Sequence, residues 1–130
     1  MGASVSEPTP HDLYRCEPDP LKMSDLEAAF LTRWRQLAQG APEPIHDAIG
    51  PDPDRGWRFD WAWPGAMVAV ECQGGTYTGG RHVRGTGYRA DCEKHNAALE
   101  AGWRDFWCTS DMLEDDPAGF VEMVRAAVLS

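Results

Sequence analysis

The sequence has no apolar run approaching the ~20 residues needed to cross a bilayer. Its opening stretch, MGASVSEPTPHDLYRCEPDP, lacks the apolar core of a secretory leader. A cytoplasmic protein without a membrane segment is expected. No two of the four cysteines form a C-x-x-C pair, and no histidine stands at zinc-finger spacing from them, which argues against a structural zinc. Cys16 lies in a proline-rich tail, while Cys72, Cys92 and Cys108 read as small, reduced interior residues. Basic residues are also scarce: 12 Lys and Arg against 21 Asp and Glu give a net charge of −9. A protein that coats nucleic acid through bulk charge is thereby disfavoured.

What is present is unevenly spread. Residues 55–104 carry seven basic and five acidic groups, whereas the segments on either side are strongly acidic. A polyanion can bind locally at such a centre while the acidic flanks limit non-specific attachment. The same flanks also serve solubility. A length of 130 residues and 42% hydrophobic content fit one globular domain. Four prolines and little apolar content mark residues 1–22 as a flexible arm, leaving residues 23–130 as the domain.

Helical spacing of Leu26, Phe30, Trp34, Leu37 and Ala38 predicts a helix from Ser24 to Gln39. Its start is the capping box Ser24-Asp25-Leu26-Glu27, and Gly40 and Pro42 end it. Residues 41–56 are rich in Pro, Gly and Asp and read as a long loop with at most one helical turn near Ile45–Ile49. Trp57 to Trp63 alternates, with Trp57, Phe59, Trp61 and Trp63 on one face and Arg58, Asp60 and Ala62 on the other. Met67 to Gln73 is the return strand. A two-residue Pro64-Gly65 turn would set Asp60 opposite Ala69, with Glu71 a diagonal neighbour; a larger turn would set Asp60 opposite Glu71. Residues 74–86 are too rich in glycine for regular structure. A second long helix should follow from Thr86 or Gly87 to about Ala101, with Tyr88, Cys92, His95, Ala98 and Leu99 inward and Gly102 beyond its end. Trp103 to Thr109 reads as another strand. Asp116 and Pro117 supply the N-cap and first turn of a last helix that buries Phe120, Val121, Val124 and Val128.

Two acids on neighbouring strands, with basic groups just beyond, suit metal-dependent phosphodiester cleavage. That reaction needs a nucleophile, relief of phosphate charge and support for the leaving oxygen, all within reach of a carboxylate-held Mg²⁺ or Mn²⁺. Mg²⁺ takes few protein oxygens and keeps several waters. Asp60, Glu71 and the carbonyl of Cys72 meet that need, and Glu27 becomes a third acid if the first helix lays its N-terminus across the sheet. Glu27 is also accounted for as a capping residue. Arg58, Arg81, His82, Arg84 and Arg89 are the candidate nucleic-acid contacts, with His82 also a candidate general base. His95, on the inward stripe, reads as a hydrogen-bonded core histidine.

The segment VECQGGTYTGGRHVRGTGYRADCEKHNAALEAGWRDFWCT, preceded by Asp60 and a Glu27-bearing helix, resembles a phage and bacterial branch of the PD-(D/E)XK nuclease superfamily. The likeness spans roughly residues 24–112. It implies an α/β (α+β) fold with a restriction-endonuclease-like αβββαβ core, a central mixed sheet flanked by helices. It also implies a divalent metal, cleavage of DNA of the resolvase or repair type, a homodimer, and a setting in a bacterial or phage-infected cell. One position departs from the pattern. Gln73 stands where the superfamily usually carries lysine, and Gln offers only a neutral hydrogen bond. Lys94, on the following helix, is the candidate stand-in. The departure also leaves open a nuclease-fold protein that binds nucleic acid or a protein partner without cutting.

Overall fold

Helix α1 (Asp25–Leu37) starts at the expected capping box: Ser24 Oγ accepts from the amide of Glu27 at 3.1 Å, and Glu27 Oε2 accepts from the amide of Ser24 at 2.8 Å. Such a cap contributes about 1 kcal/mol and fixes the direction in which Glu27 points. The computed structural model of the chain describes residues 18–74, 77–78, 81–82 and 86–130. Most of the expected flexible arm therefore lies outside the described residues. Its end, Pro20–Lys22, is a 3₁₀ turn capped by Asp19, whose Oδ1 accepts from the amide of Leu21 at 2.9 Å.

After α1 come β1 (Ile45–Ile49), β2 (Arg58–Trp63), β3 (Val68–Cys72), the two-residue strands β4 (Tyr77–Thr78) and β5 (Arg81–His82), and helix α2 (Thr86–Glu100). Strand β6 (Arg104–Cys108), a short helix α3 (Ser110–Asp115) and helix α4 (Pro117–Leu129) complete the order. The larger sheet has the order β1-β2-β3-β6, with two antiparallel pairings and then a parallel one between β3 and β6. The fold is thus α+β, a four-stranded mixed sheet flanked by helices. Helices α1, α3 and α4 cover one face and α2 covers the other.

Four sequence-based expectations need correction. Residues 41–56 do not form a long loop: Ile45–Ile49 is the edge strand β1. Gly50 and Trp57 close its pairing with β2 through a 2.7 Å bond from the Gly50 amide to the Trp57 carbonyl. A Cβ at position 50 would stand 2.5 Å from that carbonyl oxygen, so only glycine fits there. Residues 74–86 are not wholly irregular either, because β4 and β5 pair antiparallel, with Tyr77 opposite His82. The alternation along β2 breaks at Asp60. Trp61 and Trp63 pack with α1, but Phe59 joins Ala62, Ala69 and Ala98 on the α2 side, its ring 4.8 Å from that of Trp103. Asp47, across from Asp60 in β1, has φ of +52°, and the face of β1 changes there as well. Lastly, Tyr88 and Leu99 of α2 and Leu37 of α1 are largely exposed rather than inward, while Leu31 is buried.

The main core is aromatic. Phe30 is fully buried among Trp34, Trp61, Trp63 and Phe120, with ring centroids 5.9 to 6.4 Å away. Trp34 and Trp63 both donate from Nε1 to the carbonyl of Pro42, which ties the α1–β1 connection to the core. Phe30→Ala is expected to lower the unfolding free energy by about 3–5 kcal/mol. Urea unfolding, with an unchanged slope and a lower midpoint, checks this.

Candidate functional site

The turn between β2 and β3 decides the register of the central acids. Pro64–Ala66 forms a 3₁₀ turn, and Met67 follows at φ of +54°. Trp63 therefore pairs with Val68, Ala62 with Ala69 and Trp61 with Val70. Of the two registers the sequence allows, this is the larger-turn one, and it brings Asp60 and Glu71 to the end of the β2–β3 pairing, one step beyond Trp61 and Val70. Asp60 Oδ2 accepts from the amide of Cys72 at 2.7 Å, so its carboxylate is drawn to the end of β3.

The other predicted residues fall around this pair. Glu27, from the start of α1, lines the same cleft as Asp60 and acts on it electrostatically. Lys94, from α2, approaches from the opposite face. Its Nζ stands 2.7 Å from Glu71 Oε1 and donates to the carbonyl of Arg58 at 2.9 Å. The Lys94–Glu71 approach is a charge contact rather than an aligned hydrogen bond, and Glu71 Oε1 is buried without an aligned hydrogen-bond partner among the described residues. The carbonyl of Cys72 accepts from the Gly74 amide at 3.2 Å, which engages one of its two lone pairs. Gln73 sits just past β3, where its amide donates to the Cys108 carbonyl at 2.7 Å.

Two candidate nucleic-acid contacts are engaged elsewhere. Arg58 donates to the carbonyl and the carboxylate of Asp47, holding the strained turn in β1. Arg89 is highly exposed and pairs with Glu93 at 2.7 Å. The side chains of Arg81 and His82 and the whole of Arg84 lie outside the described residues.

The electrostatics follow from burial. Burial, and then the neighbouring Glu27, raise the Asp60 carboxyl from 3.8 to about 6, against the lowering effect of the Cys72 amide. Burial and then the charge on Asp60 push Glu71 from 4.5 up to about 8, although Lys94 pulls it down. One ammonium therefore does not offset the crowding of carboxylates. Burial pushes the Cys72 thiol far up, so its carbonyl, not its sulfur, is the usable donor.

These residues fit a hard divalent cation in donor chemistry. The acids offer oxygen only, Asp60 and Glu71 have their charged forms disfavoured, and Glu71 Oε1 lacks a directed hydrogen bond. Among the described residues no three His, Cys, Asp or Glu side chains are already gathered around a common centre. Mg²⁺ takes one or two carboxylates and keeps its waters, so a ready-made three-acid cage is not required. Beside the acids lies an open cleft of about 770 Å³, walled by Glu27, Asp60, Cys72, Arg33 and Glu114.

Sequence reasoning missed two supports. Asp105, at the start of β6, is almost wholly buried; it accepts from Trp107 Nε1 at 3.2 Å, and its Oδ2 lies 3.0 Å from His95 Nδ1. His95 is thus the hydrogen-bonded histidine its stripe position predicts, and an acid inside an aromatic strand was the signal for its partner. Burial raises Asp105, opposed first by the His95 hydrogen bond. His46, assigned no role from sequence, lies with Nε2 at 3.3 Å from Glu27 Oε2. Comparison with protein-family models, with curated proteins and with solved structures finds no match to this chain.

Proposed function

We propose that the chain is a divalent-metal-dependent endonuclease that hydrolyses phosphodiester bonds in DNA, with branched or otherwise structured DNA as its substrate. The observation that carries this reading is the presence of two acids, Asp60 and Glu71, at one end of β3, with Asp60 bound to the Cys72 amide and sharing a cleft with Glu27, and with Lys94 2.7 Å from Glu71. Carboxylates whose charge is disfavoured first by burial make a poor structural device, since apolar residues would pack the same space at lower cost. They make a good receptor for a cation. With the short β4–β5 pair and the two C-terminal helices set aside, the element order αβββαβ supports a restriction-endonuclease-like core.

A bound Mg²⁺ or Mn²⁺ supplies an activated water and neutralises phosphate charge. Asp60 and Glu71 hold the site, and Asp60 is oriented for this by the Cys72 amide. Lys94 brings the positive charge that Gln73 cannot, 2.7 Å from Glu71, where an ammonium is placed to contact a phosphate oxygen or orient the attacking water. Gln73 contributes a neutral hydrogen bond at the mouth of the same strand. A homodimer would match two scissile strands by two-fold symmetry.

A non-cutting protein of the same fold is the second reading, favoured by Gln73 and by the commitment of Lys94 to Glu71 and the Arg58 carbonyl. One experiment separates them. The purified protein is incubated with supercoiled plasmid and with synthetic four-way junctions in Mg²⁺, Mn²⁺ or EDTA, beside Glu71→Ala. Cleavage that requires the metal and fails in the variant supports the endonuclease. Junction binding that persists in EDTA, with no cleavage in either metal, supports the second reading. Equal cleavage by wild type and variant places the activity elsewhere.

A further inference from the structure

Glu27 would be satisfied as a capping residue by the Ser24 amide alone, yet its Oε2 has a second neighbour. His46 Nε2 stands 3.3 Å from that oxygen, and both side chains are close to 90% buried, at 10% and 14% exposure. The Ser24 amide already donates to that oxygen, and where the oxygen accepts a second bond, Nε2–H is its donor. The ring is held in turn by Trp61, its centroid 4.6 Å away, and Trp61 is the residue opposite His46 in the β1–β2 ladder and adjacent to Asp60. What puts His46 on this face is the break in β1: Asp47, next in the strand, has φ of +52°, and Arg58 clamps its carbonyl and carboxylate.

We propose that His46 is a positioning residue for the metal-binding carboxylate of Glu27. It rests on the endonuclease reading above. With Oε2 held by the Ser24 amide and by His46, the Glu27 carboxylate cannot rotate about its last bond, and Oε1 is the oxygen left for Asp60 and a cation. Histidine here does for a carboxylate ligand what outer-shell carboxylates do for histidine ligands: it fixes orientation without touching the ion. The strained Asp47 and its Arg58 clamp then belong to the site, because they set the strand face from which the imidazole approaches.

The test is Mn²⁺ binding by the full chain, followed through the electron paramagnetic resonance signal of free Mn²⁺, with thermal unfolding recorded for every variant. His46→Leu is expected to weaken Mn²⁺ binding about 10–100-fold, the usual cost of removing an outer-shell partner. His46→Gln, whose amide nitrogen reaches about as far as Nε2, is expected to restore most of that loss, and the shorter His46→Asn is not. In a Glu27→Ala background His46→Leu is expected to add nothing further. A purely structural role would lower the unfolding temperature and leave the affinity of the folded protein unchanged, and that result overturns the proposal. Should His46→Leu fail to fold, the contrast between Gln and Asn carries the test. Wild type that binds no Mn²⁺ overturns the endonuclease reading itself; wild type that binds, with His46→Leu binding equally, overturns only the role of His46.

Discussion

Asp60→Asn is expected to make the metal-free protein more stable at pH 8 while removing its activity. The two effects share one cause. Asp60 is part-buried, and its carboxyl is raised from 3.8 to about 6, first by that burial, so its ionised form is unfavourable in the folded state. Raising a carboxyl's pKa by one corresponds to about 1.4 kcal/mol, and partial exposure and the neighbouring acids reduce the return, so a gain of about 1–3 kcal/mol is expected. Asparagine keeps an oxygen that can accept from the Cys72 amide, so the local hydrogen bond survives. A cation, however, loses a charged ligand, and cleavage is expected to fall more than about 100-fold, beyond the usual cost of an outer-shell change. Urea unfolding in EDTA and initial cleavage rates in Mg²⁺ check both halves. A variant less stable than wild type and fully active would contradict the placement of Asp60 at the metal. A gain in stability with a loss of function is the signature of a site kept at the expense of the fold.

The metal-free protein is also expected to lose stability as the pH rises through the neutral range. Asp60 near 6 and Glu71 near 8 both lie above their ordinary values of 3.8 and 4.5. A carboxyl raised in this way binds its proton more tightly when folded. Its contribution is complete below the unfolded value and is lost as pH climbs through the folded one, so the window runs from about pH 4 to about pH 8. Asp105 is raised in the same direction. Thermal midpoints measured in EDTA should therefore fall by several degrees between pH 5.5 and pH 8.5. The acidic net charge acts in the same sense, but salt screens that part. The double variant Asp60→Asn, Glu71→Gln should flatten the profile, which assigns the slope to the site. Addition of Mn²⁺ should raise the midpoint more at pH 8 than at pH 5.5, because the metal takes ionised carboxylates. A wild-type midpoint that rises with pH in EDTA would contradict the burial of these acids.

Much of this arrangement was legible in the sequence, and the gaps have physical reasons. The capping box, the β2 and β3 strands, the second long helix, the β6 strand and the Asp116-Pro117 start of the last helix each carry a local signal, and each stands within a residue or two of its expected place. Strand β1 was hidden because Ile45-His46-Asp47-Ala48-Ile49 does not alternate. Its buried residues are Ile45 and Ala48, three apart, since Asp47 turns the strand over. The same break explains why Phe59 does not share a face with Trp61. A period of two cannot be read across a residue in the left-handed region. Asp60 and Glu71 could be singled out because acids in apolar strands need a partner. The choice between diagonal and direct pairing of Asp60 with Glu71 could not be read, because it depends on Pro64–Ala66 adopting a 3₁₀ turn. His46 and Asp105 escaped for a further reason: their partners, Glu27 and His95, are brought to them only by packing across the sheet.

The most direct test is an anomalous difference map from crystals soaked in Mn²⁺. A peak is expected at the end of β3 within bonding distance of carboxylate oxygens of Asp60 and Glu71, with Glu27 bonded to the ion directly or through water, and no such peak in Asp60→Asn. A wild-type map with no density there, or with Mn²⁺ bound only at the exposed acidic surface, would contradict the assignment of these acids to a metal.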